Sequence, residues 1–308
     1  MASDATAKAA SAPKEKSSDA GSNELKITPQ LVIGLLVGLG CVPLAMLDEK
    51  VIAESFAPSS SATFAATKEA FIFAGACVGL CACIDFGFAR WFGKGRYFAF
   101  HVVVNAIIIS WGFSDALSVV LMANPLESNT CVQSSACSSP KAPMAMTLAA
   151  TVWHSVAYAL KPIDIVHHVP TLVVTSVVLF FPWGGVMNFG LVFAFMGFPG
   201  LIDYALLVGV KMGWVASKKE KDYNQSLNVW IRAPFAVISA YFIVVGALTR
   251  PADFNSMTHR VVHGVIGVHN WWNGSFFMYR TVEARTRYVV AKEAEKKAAK
   301  ASGAAALM

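Results

Sequence analysis

Residues 97–122 read YFAFHVVVNAIIISWGFSDALSVVLM. The stretch holds no Lys or Arg and a single carboxylate, Asp115. A helix crossing the hydrocarbon core of a bilayer needs ~20 mostly apolar residues, and this block exceeds that length. Similar blocks lie at 27–47, 68–91, 144–160 and 164–181. A Pro-Trp-Gly-Gly turn at 182–185 leads into a sixth block that ends near 215, and 229–248 makes a seventh. The eighth, 256–279, is the most polar. The expected fold is therefore all-α, a polytopic bundle of about eight spanning helices over 27–279.

Composition agrees with that class. The chain of 308 residues is 56% hydrophobic and 14% charged, where soluble domains carry about 25% charged residues. Too few charges are present to coat a soluble globule. The net charge of +6 is not organised into the aromatic-interleaved basic stripe that nucleic acid requires, so no nucleic-acid partner is expected. Residues 1–26 lack the apolar core of a signal peptide. Four acids there balance four lysines, and the Ala/Ser/Lys mixture reads as a disordered N-tail.

The positive charges set an orientation. Arg90, Lys94 and Arg96 lie between the second and third blocks, and Lys218, Lys219 and Lys221 follow the sixth. The tail 280–308 holds seven Lys/Arg against three Glu. Eight spans put all three segments and the N-tail on one side, which the positive-inside rule makes cytoplasmic. The loop 123–143 then faces an oxidising compartment. Cys131 and Cys137 in it either close a small disulfide or remain free thiols. The other four cysteines sit in apolar blocks and read as small packing residues.

Ionisable residues inside spans are costly and face the bundle interior. His101, His154, His167 and His168 come from three blocks and fall near the same cytoplasmic end. An imidazole can accept and return a proton there. Asp164 stands three and four residues before the His pair, on one helix face with it, and can orient it. His101, His154, Tyr158, Asp203 and Arg232 are candidate lipid- or substrate-binding residues, and Gly-Phe-Pro-Gly at 197–200 precedes Asp203. His259-x3-His263 has the spacing of a metal pair, but two ligands do not make a site, so no metal is expected. The seven histidines are too few for the HxxxH and HxxHH clusters of a membrane di-iron hydroxylase. A transporter would be compatible with a broken sixth span, but no inverted repeat shows.

The stretch 153–171, WHSVAYALKPIDIVHHVPT, with its acid, His-His pair and following Thr, resembles the central motif of TLC-domain membrane proteins, the family of the ceramide synthases. RYFAFH at 96–101 is similar to that family's earlier Arg…His signature. The resemblance covers about 68–279. It implies a helix bundle around a lipid-sized cavity lined by His167 and His168, in the endoplasmic reticulum. The activity it implies is acyl-CoA-dependent N-acyl transfer to a long-chain amine, with catalytic His167, His168 and Asp164. Arg96, Lys161 and Arg232 would meet the phosphates of acyl-CoA, a co-substrate; no cofactor is implied. The alternative on the same bundle is a non-enzymatic protein that binds or organises lipid. Membrane lipid is the expected partner in either case, and a homo-oligomer is open.

Overall fold

A computed structural model of the chain describes residues 61–121, 141–179, 185–249 and 257–305. The described residues are helical throughout, apart from short turns, and contain no strand. Helix α1 (Ser61–Phe92) leads through a 3-10 turn (Gly93–Gly95) into α2 (Arg96–Leu121). Gly93 takes φ +43, a left-handed conformation that glycine adopts without steric cost. The chain reverses there, because Phe73 of α1 reaches Trp111 of α2 with ring centres 5.6 Å apart. Helices α3 (Ala142–Ala157) and α4 (Pro162–Val178) follow. Then come α5 (Gly185–Gly190), a π-helical turn (Leu191–Phe195) and α6 (Gly197–Lys211). Helix α7 (Ser217–Leu227) runs through a second π-helical turn (Asn228–Arg232) into α8 (Ala233–Thr249), and α9 (Met257–Ala305) completes the order.

Among the described residues, three continuous helical runs are long and apolar enough to cross a membrane: 68–121, 185–211 and 217–249. The first folds back at Gly93, as the Phe73–Trp111 contact requires. These runs are fewer than the eight spans expected, for identifiable reasons. Helices α3 and α4 have only 16 and 17 residues. Helix α9 is long but polar along much of its length. The block at 27–47, the N-tail, the loop 123–140 and the cysteines Cys131 and Cys137 lie outside the described residues.

One further expectation changes. The basic segment after the sixth block is not a loop, because 217–227 forms α7, which buries Glu220 and Asn224. The basic stretch from Arg280 is helical and continues α9 through Ala305. Its 49 residues at ~1.5 Å each extend about 73 Å. Ion pairs Arg280–Glu283, Glu283–Arg287 and Lys292–Glu295 line its exposed part, and Arg285 ties it to Asp222 of α7 at 2.8 Å.

The core forms around α3, which is buried from Pro143 to Val152. Small and unbranched residues allow this close packing, and its hydroxyls satisfy themselves. Thr147, Thr151 and Ser155 each donate to the carbonyl four residues back at 2.8 Å. Phe100, Val104 and Ile108 of α2 are fully buried beside it. Glycine sets two close approaches. A Cβ on Gly200 would stand 2.7 Å from Asn105 Oδ1, so α6 meets α2 there. A Cβ on Gly274 would stand 2.4 Å from the Ala236 Cβ, so α9 meets α8 through small residues, the usual device where lipid leaves no hydrophobic drive between helices.

Gly274→Leu is therefore expected to destabilise the α8–α9 contact by about 1–3 kcal/mol. Gly264→Leu on the same helix, where a Cβ meets nothing within 4 Å, should be neutral. Detergent-induced unfolding of the two variants measures the difference; equal stabilities would refute the contact.

Candidate functional site

Four imidazoles stand in a row across three helices. The ring centres of His101 and His154 are 5.2 Å apart, those of His154 and His168 4.3 Å, and those of His168 and His167 5.2 Å. Helix α2 supplies His101, α3 supplies His154, and α4 supplies the pair. His101 and His154 are buried, and the pair is half-buried. Nδ1 of His101 lies 2.8 Å from the Tyr97 carbonyl. A carbonyl only accepts, so Nδ1 carries the proton and a neutral His101 keeps its lone pair on Nε2. Nδ1 of His154, His167 and His168 is buried with no hydrogen-bond partner among the described residues.

Tyrosines enclose one end of the row. Tyr97 packs on His101 at 4.4 Å, on His154 at 4.8 Å and on Tyr158 at 5.0 Å. Tyr204 of α6 packs on His101 at 4.4 Å. His167, at the other end, stacks near Phe276 and meets Phe277 edge-on at 4.8 Å.

Asp85 of α1 anchors this arrangement and is fully buried. Arg96 donates to it from Nε and Nη2, both at 2.7 Å, in the two-pronged geometry that makes guanidinium–carboxylate pairs strong. Trp153 Nε1 donates at 3.1 Å, and the Tyr158 hydroxyl donates at 2.5 Å. Arg96 is thus committed to Asp85, which corrects the expectation that it would meet a substrate phosphate. Tyr158 likewise spends its hydroxyl on Asp85.

Asp164 also differs from expectation. Its Oδ2 accepts from the Lys161 N–H at 2.8 Å and caps the first turn of α4. It stands one turn from the His pair but holds neither ring by a hydrogen bond. Lys161 is exposed and is the N-cap of the same helix.

Asp203 and Arg232 belong to a second polar set. Glu220, Asn224, Asn228 and Arg232 recur every four residues along α7 and the π turn, and all four are buried. Asn224 donates to Asp203 Oδ1 at 2.6 Å and Asn228 donates to Asn224 Oδ1 at 2.6 Å. Arg232 Nη1 donates to Asn228 Oδ1, also at 2.6 Å. Its guanidinium lies over the Phe277 ring at 4.7 Å. The period-four spacing of Glu220, Asn224, Asn228 and Arg232 was readable in the sequence as one helix face. Tyr97 carried no such signal, since an aromatic at a helix start is ordinary.

Among the described residues no three His, Cys, Asp or Glu side chains gather as a metal-holding group. A small cavity of about 20 Å³, room for one water, lies between α3, α4, the first π turn and α9. Met144, Val178, Leu191 and Ile266 line it together with His269 and Asn270.

Asp85→Asn is expected to cost about 3 kcal/mol or more, because it leaves Arg96 without its charge partner in a buried site. An Asp85/Arg96 double-mutant cycle on thermal stability measures the coupling, and additive losses would refute it.

No family model, curated protein or solved structure matches the chain.

Proposed function

We propose that this is a polytopic membrane protein of lipid metabolism, a TLC-like bundle in the endoplasmic reticulum. Its concrete activity is N-acyl transfer from acyl-CoA to a long-chain amine at the His167/His168 pair. The observation that carries the reading is the row of four imidazoles from three helices, three of which (His154, His167 and His168) have a buried Nδ1 with no partner among the described residues. Buried polar atoms in native proteins are nearly always satisfied. A set left open on neighbouring rings is suited to a reacting or bound group.

In this reaction the amine nitrogen attacks the thioester carbonyl carbon while one imidazole of the pair takes the amine proton. The carbon–nitrogen bond forms and the carbon–sulfur bond breaks. The CoA thiolate leaves and takes the proton back from the imidazolium. The other imidazole donates to the thioester oxygen as charge develops there. Asp164 contributes negative charge one turn away rather than a hydrogen bond. His101, His154 and Tyr158 hold the pair in place, Asp203 and Arg232 bind the lipid, and Lys161 remains the exposed cation for CoA phosphates.

A second reading is lipid binding without turnover. The observation favouring it is the Asp164–Lys161 bond, which leaves both imidazoles without a carboxylate hydrogen bond among the described residues. Lipid co-purified in mild detergent, identified by mass spectrometry, separates the two. Unmodified lipid and no turnover with any acyl-CoA would establish the second.

For the first, His167→Ala and His168→Ala are each expected to lower turnover by a factor of about 10² or more, with the folded protein retained. Full activity in both variants would end the acyl-transfer reading.

The eight-span arrangement, with both termini cytoplasmic, completes the proposal. It is supported by the placement of Lys and Arg. An engineered glycosylation acceptor within 123–143 should be modified in microsomes, and one appended after Met308 should not. A glycosylated C-terminus would overturn this topology.

A further inference from the structure

Beyond the His row, on the α9 side of His167, several buried polar groups meet with hydrogen-bonding atoms left open among the described residues. Arg232 is 3% exposed. Its Nη1 is used by Asn228, but its Nε has no hydrogen-bond partner among the described residues. No carboxylate comes within ion-pair distance of it among those residues; Asp203 acts on it only through space. His167 meets the edge of the same Phe277 ring that carries the guanidinium. Asn273, 1% exposed, stands beside His167. One turn earlier in α9, His269 is 7% exposed and leaves both ring nitrogens unpartnered among the described residues.

This is an expensive arrangement. A cation removed from water needs a close counter-charge, more so within a membrane. The surrounding groups offer N–H donors rather than carboxylates. The guanidinium edge that carries Nε is planar and matches two oxygens of one anion. His167, His269 and Asn273 can each donate a further hydrogen bond.

We propose that Arg232, His167, Asn273 and His269 form a seat for the oxyanion head of an amphiphile, a carboxylate or a phosphate. Arg232 takes the anion through its Nε edge, and Asn273 and the imidazoles donate to the remaining oxygens. The rival is that Asp203 alone balances Arg232 at a distance and the site binds nothing. The seat stands whether or not the protein transfers acyl groups, because its test reads binding and not turnover.

The test uses the full chain purified in dodecyl maltoside and a fatty acid with a diazirine next to its carboxylate. After irradiation, the label is expected on 269–277 or 228–232. Oleate or oleoyl lysophosphatidate should suppress labelling, and oleyl alcohol at the same concentration should not. Suppression by only one of the two anions assigns the head group as carboxylate or phosphate. R232Q should weaken labelling about tenfold or more. N273D supplies a carboxylate from within, so it should abolish labelling while thermal stability holds or rises. The wild-type competition needs no variant to fold. Equal suppression by oleyl alcohol, or unchanged labelling in both variants, would overturn the seat.

Discussion

Asp85 accepts hydrogen bonds from three places at once: Arg96 at the start of α2, Trp153 inside α3 and Tyr158 at its end. A buried carboxylate cannot stand unpaired among apolar helices, so this residue fixes how the ends of α1, α2 and α3 meet. That meeting brings His101 within one ring of His154 and leaves Tyr97 packed between them. The chain from Tyr158 to Lys161 is short, so α4 must start beside the same point, with His168 facing His154. The imidazole row follows from one charge that must be neutralised.

The rest of the bundle obeys the same rule by different means. Hydroxyls on α3 and α4 bond to their own helix backbone, and Asn188 reaches Asp115 across to α2 at 2.9 Å. Asn224 and Asn228 carry polarity from Asp203 to Arg232 in steps of one turn. Where the rule is obeyed, the polar residues act as glue between helices. Apart from Asn105 Oδ1 on α2, the exceptions among the described residues gather on His154, His167, His168, His269, Asn273 and Arg232. Their grouping on neighbouring surfaces of α3, α4, the second π turn and α9 makes them a site rather than scattered defects.

Much of this was legible in the chain. The absence of Lys and Arg over 97–122, and the placing of His101, His154, His167 and His168 in three apolar blocks, marked apolar helices that carry polar groups inward. The period of four in Glu220, Asn224, Asn228 and Arg232 was present but masked by the lysines around it, which made the segment look like a loop. Partner choice was not legible. Arg96 and Asp164 each had an open role in the sequence. Arg96 sits where it can grip Asp85, and Asp164 sits where it can cap its own helix. Both local bonds form because a nearby buried charge and an exposed helix end are satisfied more cheaply by a neighbour than by anything distant.

The sequence by itself determined the all-helical class, its apolar runs and the presence of ionisable groups within them, because periodicity and hydropathy act over a few turns of one helix. Only the tertiary structure decided which of those groups are neutralised and which remain open. Neutralisation depends on distances between helices. The 4.3 Å between His154 and His168 and the shared Phe277 ring beneath Arg232 and His167 are set by packing of segments far apart in the chain.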